Sequence, residues 1–149
     1  MTTGAVTGPF PEAEYRAIFQ KVPRLTVEVV VVSELGVLLA RRAGGPCDGL
    51  WNLPGGTVRF AESLVAAVHR VALDEVAADV IIDDLLGYIE YPSHAQQGID
   101  WPVGLVFRTH LSPETAPAIG KNRLDWFQRL PDEMHEEQRA FLQAHGLVG

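Results

Sequence analysis

From Leu25 to Val32 the chain reads LTVEVVVV, β-branched and almost unbroken, with Glu28 as the one acid in the run. Apolar residues at successive positions, rather than at alternate ones, are what a strand buried on both faces requires. A Glu-Leu-Gly turn follows and VLLARR (37–42) returns, which predicts a hairpin. Between Ala61 and Ala78 there is neither Gly nor Pro, and Leu64, Val68, Val71 and Val76 are spaced as the buried stripe of a long helix. Upstream, PEAEYRAIFQKV (11–22) opens with proline and acids and sets Tyr15, Ile18 and Phe19 on one side, the pattern of a short helix. Downstream, residues 79–91 and 101–111 read as strands flanking a polar loop, PSHAQQGID, and RLDWFQRL (123–130) as a last short strand. PDEMHEEQRAFLQAHG (131–146) predicts a C-terminal helix with Pro at its start and Gly at its end. AGGPCDG reads as loop and the first ten residues as a flexible tail. The order of elements predicts an α/β layered domain with a mixed sheet.

The length, 149 residues, suits one domain over residues 1–149, and 47% apolar with 21% charged residues suits a globular chain. A net charge of −7 argues against a non-specific nucleic-acid binder, which needs a basic stripe. It leaves phosphorylated small molecules open, because a metal ion and a few arginines supply positive field locally. The longest apolar runs, VVVV (29–32) and VGLVF (103–107), are too short to span a bilayer, and the start lacks the pattern of a signal peptide. A cytoplasmic protein without a membrane partner is therefore expected. Cys47 has no second cysteine for a disulfide or a thiolate zinc cluster, and reads as a small loop or core residue.

The stretch that carries chemistry runs from Gly56 to Ala78. Glu62 follows Gly56 by six positions, Arg70 follows Glu62 by eight, and Asp74 and Glu75 come four and five after Arg70. At about 100° per residue, positions 70, 71, 74 and 75 share one helix face. Carboxylates grouped there can hold a hard divalent cation such as Mg2+. The Gly55-Gly56 corner lets a backbone carbonyl approach the same ion.

With LWNLPGG in front of it, this spacing resembles the signature of the Nudix hydrolases, G-x5-E-x7-R-E-U-x-E-E-x-G-U, with U an aliphatic residue. Gly56, Glu62, Arg70 and Glu75 keep it; Val71, Asp74 and Ala77 depart from it. The resemblance implies the Nudix fold, an α/β/α sandwich with a mixed β-sheet. It also implies hydrolysis of a nucleoside diphosphate linked to another group, assisted by Mg2+ or Mn2+. An aliphatic residue after the arginine is similar to the GDP-mannose mannosyl hydrolase branch, where water attacks the sugar carbon and the last glutamate of the box serves the metal. Glu28 and Arg42 also fall at positions of that branch, the arginine as a contact of the diphosphate. Thr57 and Lys121 do not: the branch has an arginine and a histidine base there.

A lean site is therefore expected, with Glu75, Asp74 and the Gly55 carbonyl as metal ligands and Glu75, Asp74 and Arg70 as the catalytic group. Arg70 is expected to orient carboxylates, while Arg42 and Glu28 face the substrate. Asp100, His94 and Glu28 are the candidates for the general base. Tyr91 and Trp101 bracket the loop that could cover a nucleobase, although core packing explains either. His69, His110, His135 and His145 show no ligand spacing with one another. The resemblance also brings a small-molecule nucleotide substrate, preferably a nucleotide sugar, and homodimerisation. Two alternatives stay open: attack at phosphorus in a nucleoside di- or triphosphate derivative, and a Nudix-fold nucleotide sensor without turnover.

Overall fold

The computed structural model describes residues 6–7, 10–45, 47–117 and 123–148. Their first elements are β1 (Val6–Thr7), β2 (Phe10–Pro11), α1 (Glu12–Phe19), β3 (Arg24–Ser33) and β4 (Gly36–Arg41). Next come β5 (Trp51–Asn52), β6 (Gly55–Thr57), α2 (Leu64–Val76), β7 (Val80–Glu90) and α3 (Pro92–Gln96). The last are β8 (Pro102–Leu111), β9 (Leu124–Phe127) and α4 (Glu136–Ala144).

The valine-rich strand β3 lies in the middle of the sheet, whose order is β5-β4-β3-β8-β7. It runs parallel to β8 over Arg24–Val31 and antiparallel to β4 and to the short β6, so the sheet is mixed. Strand β9 adds to β4. Residues 26–31 of β3 are all buried because both faces are covered. On one face Val27, Val29 and Val31 pack with Ala67, Val68, Val71, Ala72 and Val76 of α2. On the other, Val30 and Val37 pack with Ile89, Tyr91 and Leu142 of α4. Each fully buried valine contributes about 1.5–3 kcal/mol relative to exposure, so the run fixes where the strand must lie. No helix among the described residues is long and apolar enough to cross a membrane.

Three expectations need correction. The long helix starts later than Ala61, which takes a left-handed φ of 62°; Ser63 caps it instead, its hydroxyl accepting from the Ala66 amide at 3.1 Å. The loop after β7 contains the one-turn helix α3, with Pro92 in its first turn. The C-terminal helix starts at Glu136 rather than Pro131, because the chain before it is drawn into the sheet. The Trp51 amide donates to the Glu133 carbonyl (2.9 Å) and the His135 amide to the Trp51 carbonyl (3.1 Å). Residues 1–5 of the expected tail lie outside the described residues, whereas Val6–Thr7 pairs with Phe10–Pro11.

Candidate active site

The box folds as strand, turn and helix. Strand β6 pairs with β3 so that Gly55 sits opposite Glu28. The turn beyond it is tied to α2 by Arg70, whose Nε donates to Glu62 Oε2 at 2.7 Å and whose Nη2 donates to Glu62 Oε1 and the Thr57 carbonyl, each at 2.9 Å. A guanidinium fork matches a carboxylate in this way. The pairing holds Glu62 at a pKa of about 2, well below the ordinary range, chiefly through the hydrogen bond from Arg70. Arg70 is thus engaged with its own loop. Val71 is 1% exposed, and a Cβ on Gly56 would come within 3.0 Å of its Cγ2. The position after the arginine therefore supports the Gly-Gly corner by packing.

Asp74 and Glu75 continue along the same helix and border a cleft of about 660 Å³. The Glu75 carboxyl is raised above its ordinary pKa by desolvation, with Arg42 pulling it down and Asp74 pushing it further up. Asp74 is more open, with Arg70 Nη1 3.8 Å away. Gly55 and Arg42 line the same cleft.

Glu28 is 6% exposed at the cleft floor. Its Oε2 accepts from the Thr26 hydroxyl (2.7 Å) and the Tyr91 hydroxyl (3.2 Å). Burial raises its pKa to about 7, although both hydroxyls and the nearby Arg24 and His135 act against the shift. The carboxylate fits only because its neighbours lack side chains: a Cβ at Gly55 or Gly104 would collide with Oε1 or Oε2. A backbone approach this close requires glycine.

The remaining wall comes from three distant segments. Asp100 accepts from Arg24 Nε and from His94 Nδ1, both at 2.9 Å. Burial pushes Asp100 up, but His94 and Arg24 together hold it below the usual carboxylate value. His94 is raised to about 9, first by the hydrogen bond to Asp100 and then by Cys47. Its Nε2 lies 3.0 Å from His135 Nε2. Cys47, 8% exposed, is held down at about 6 by its hydrogen bonds to His135 and His94.

One cleft therefore gathers the expected site residues Glu75, Asp74, Arg70, Arg42, Glu28 and Gly55, together with the base candidates His94 and Asp100. Tyr91 is 3% exposed and belongs to the core while its hydroxyl reaches Glu28; Trp101 is 38% exposed. Lys121 lies outside the described residues. Sequence reasoning did not foresee Cys47 and His135 in the cleft: Cys47 lacks a second cysteine but has two histidines. Thr57, a departure from the branch pattern, also lines the cleft, where its hydroxyl meets both the Tyr15 hydroxyl (2.7 Å) and Arg24 Nη1 (2.9 Å).

The model of the NUDIX domain matches residues 22–143. The chain belongs to the NUDIX domain family. Its fold is the Nudix fold of the sequence expectation, α/β with a mixed sheet between helices, and its enzyme class is that of the Nudix hydrolases. A crystal structure of a MutT NUDIX hydrolase from Burkholderia pseudomallei is similar at a TM-score of 0.71 and 26% identity, covering 82% of this chain and 97% of that one. The low-salt glycan biosynthesis protein Agl8 of Haloferax volcanii is 42% identical over 96 residues, 63% of this chain and 62% of that protein. A MutT-like protein of Streptomyces ambofaciens is 33% identical over 113 residues, 75% of this chain and 67% of its own length.

Proposed function

We propose that this Nudix chain hydrolyses a nucleoside diphosphate linked to another moiety, preferably a nucleotide sugar, with Mg2+ or Mn2+. The observation that carries the reading is that Glu75, Asp74, Gly55 and Arg42 border one cleft whose floor is the buried carboxyl of Glu28. The donor set suits the ion: two carboxylates that repel each other and a glycine carbonyl are hard oxygen ligands, as such a cation prefers. When bound, the ion would neutralise charge on the diphosphate.

The chain's own residues do the rest. Arg42 adds a second cation for the diphosphate. Arg70 positions the box by holding Glu62 and the Thr57 carbonyl. Among the base candidates, Asp100 is committed to Arg24 and His94, and His94 is committed to Asp100. Glu28 is left as the base: both hydroxyls donate to its Oε2, and its other oxygen lies toward the Gly55 edge of the cleft. A pKa near 7 suits proton removal at neutral pH. The preference for a nucleotide sugar is supported by Val71 at the box position after the arginine and by the similarity to a protein described as acting in glycan biosynthesis.

The test is product analysis in 18O-labelled water across nucleotide sugars, dinucleotides and nucleoside triphosphates. Label in the released sugar is the expected result. Label in a phosphate would establish attack at phosphorus instead, and binding without turnover throughout would make the chain a sensor.

A further inference from the structure

We propose that Cys47, His94 and His135 form a second metal site, for Zn2+ or a related transition metal, in the wall of the cleft. Their ligand atoms all lie within 4.8 Å of one another, which holds for no other trio of His, Cys or carboxylate donors among the described residues. The two imidazoles face each other through Nε2 at 3.0 Å. A tetrahedral zinc with bonds of about 2.0–2.1 Å to nitrogen holds two such atoms about 3.3 Å apart, so little movement of the two imidazoles would admit the ion, and the sulfur, within 4.8 Å of both, would close in on it.

The surroundings are those of metal-bound histidines, which turn one ring nitrogen inward and give the other to a carboxylate. His94 Nδ1 donates to Asp100, itself anchored by Arg24 Nε at 2.9 Å. His135, 4% exposed, turns Nδ1 toward Glu137 Oε1 at 3.5 Å, too far for a hydrogen bond, and that buried nitrogen has no partner among the described residues. Glu137 is fixed in turn by the hydroxyl (2.6 Å) and amide (2.9 Å) of Ser93, next to His94. A shift of a few tenths of an ångström on metal binding would let His135 complete this bond. The carboxylates thus stand behind both histidines, and the ligand atoms of His94, His135 and Cys47 lie within 4.8 Å of one another.

Ligand chemistry separates this site from the one on α2. One thiolate and two imidazoles suit zinc, whereas the oxygens of Glu75, Asp74 and Gly55 suit magnesium. Three protein ligands leave a fourth position of a tetrahedral ion, and all three residues line the cleft, so that position is open to water or to a ligand's polar group. The inference is independent of the proposed hydrolysis and survives its failure.

Cobalt(II) titration of the intact protein in excess Mg2+ tests it. One equivalent should produce a thiolate-to-cobalt charge-transfer band and the intense visible absorption of a tetrahedral ion, both removed by zinc. Cys47→Ser should abolish the charge-transfer band, His94→Gln should weaken cobalt binding at least tenfold, and Glu75→Gln should leave the spectrum unchanged. As a check that needs no variant, zinc should slow alkylation of Cys47 in the wild-type protein at least tenfold. No band in the wild type, a band that persists in Cys47→Ser, one lost in Glu75→Gln, or alkylation indifferent to zinc would each overturn the proposal.

Discussion

Arg70 grips Glu62 across eight residues by two hydrogen bonds, Nε to Oε2 at 2.7 Å and Nη2 to Oε1 at 2.9 Å. Because the pairing lowers the Glu62 pKa from 4.5 to about 2, it contributes stability that is present above pH 4.5 and is lost as the pH falls toward 2. Glu62→Gln should therefore be less stable than the wild type at pH 7, with the gap closing in acid. Denaturant unfolding at pH 7 and pH 3 checks this; an equal gap at both would show that the charge of Glu62 is not what matters.

Ala77 ends α2 in the left-handed region, at φ 56° and ψ 38°, with its amide donating to the Leu73 carbonyl at 3.1 Å. An L-residue with a Cβ pays about 1–2 kcal/mol there, which glycine avoids. Ala77→Gly is expected to raise stability by about 1 kcal/mol without changing activity, less whatever the added freedom of glycine costs in the unfolded chain. A thermal melt at or below that of the wild type would contradict it.

Glu28 lies between Thr26, Tyr91 and the glycine edge of the cleft, and its pKa of about 7 makes it a base only when deprotonated. kcat/KM should rise with pH through about 7 and level off above it. Glu28→Gln should lower kcat by about 10²–10⁴-fold and remove that rise. A variant that keeps the wild-type profile would move the base elsewhere in the cleft.

Elements built from local pattern were legible in the sequence: the valine run gave β3, the stripe Leu64, Val68, Val71 and Val76 gave α2, and the box spacing gave Glu75 and Arg70 on one helix. What stayed hidden depends on contacts between distant segments. Pro131 and the acids after it read as a helix start, yet pairing of Glu133 and His135 with Trp51 keeps that stretch extended and delivers His135 to the cleft. Cys47, His94 and His135 are more than forty residues apart, so no spacing within one element could announce them. Ala77 is visible in the sequence as a departure from the box, but the left-handed backbone it adopts at the end of α2 is not.

A metal held at Glu75 is proposed to drive hydrolysis of a nucleotide sugar. The most direct test of this proposal is turnover of a nucleotide-sugar panel by the wild type and Glu75→Gln across a Mg2+ titration. Magnesium-dependent release of free sugar by the wild type is expected, with a loss of at least 10²-fold in the variant and its fold intact by circular dichroism. Equal rates for the two proteins at every magnesium concentration would contradict it.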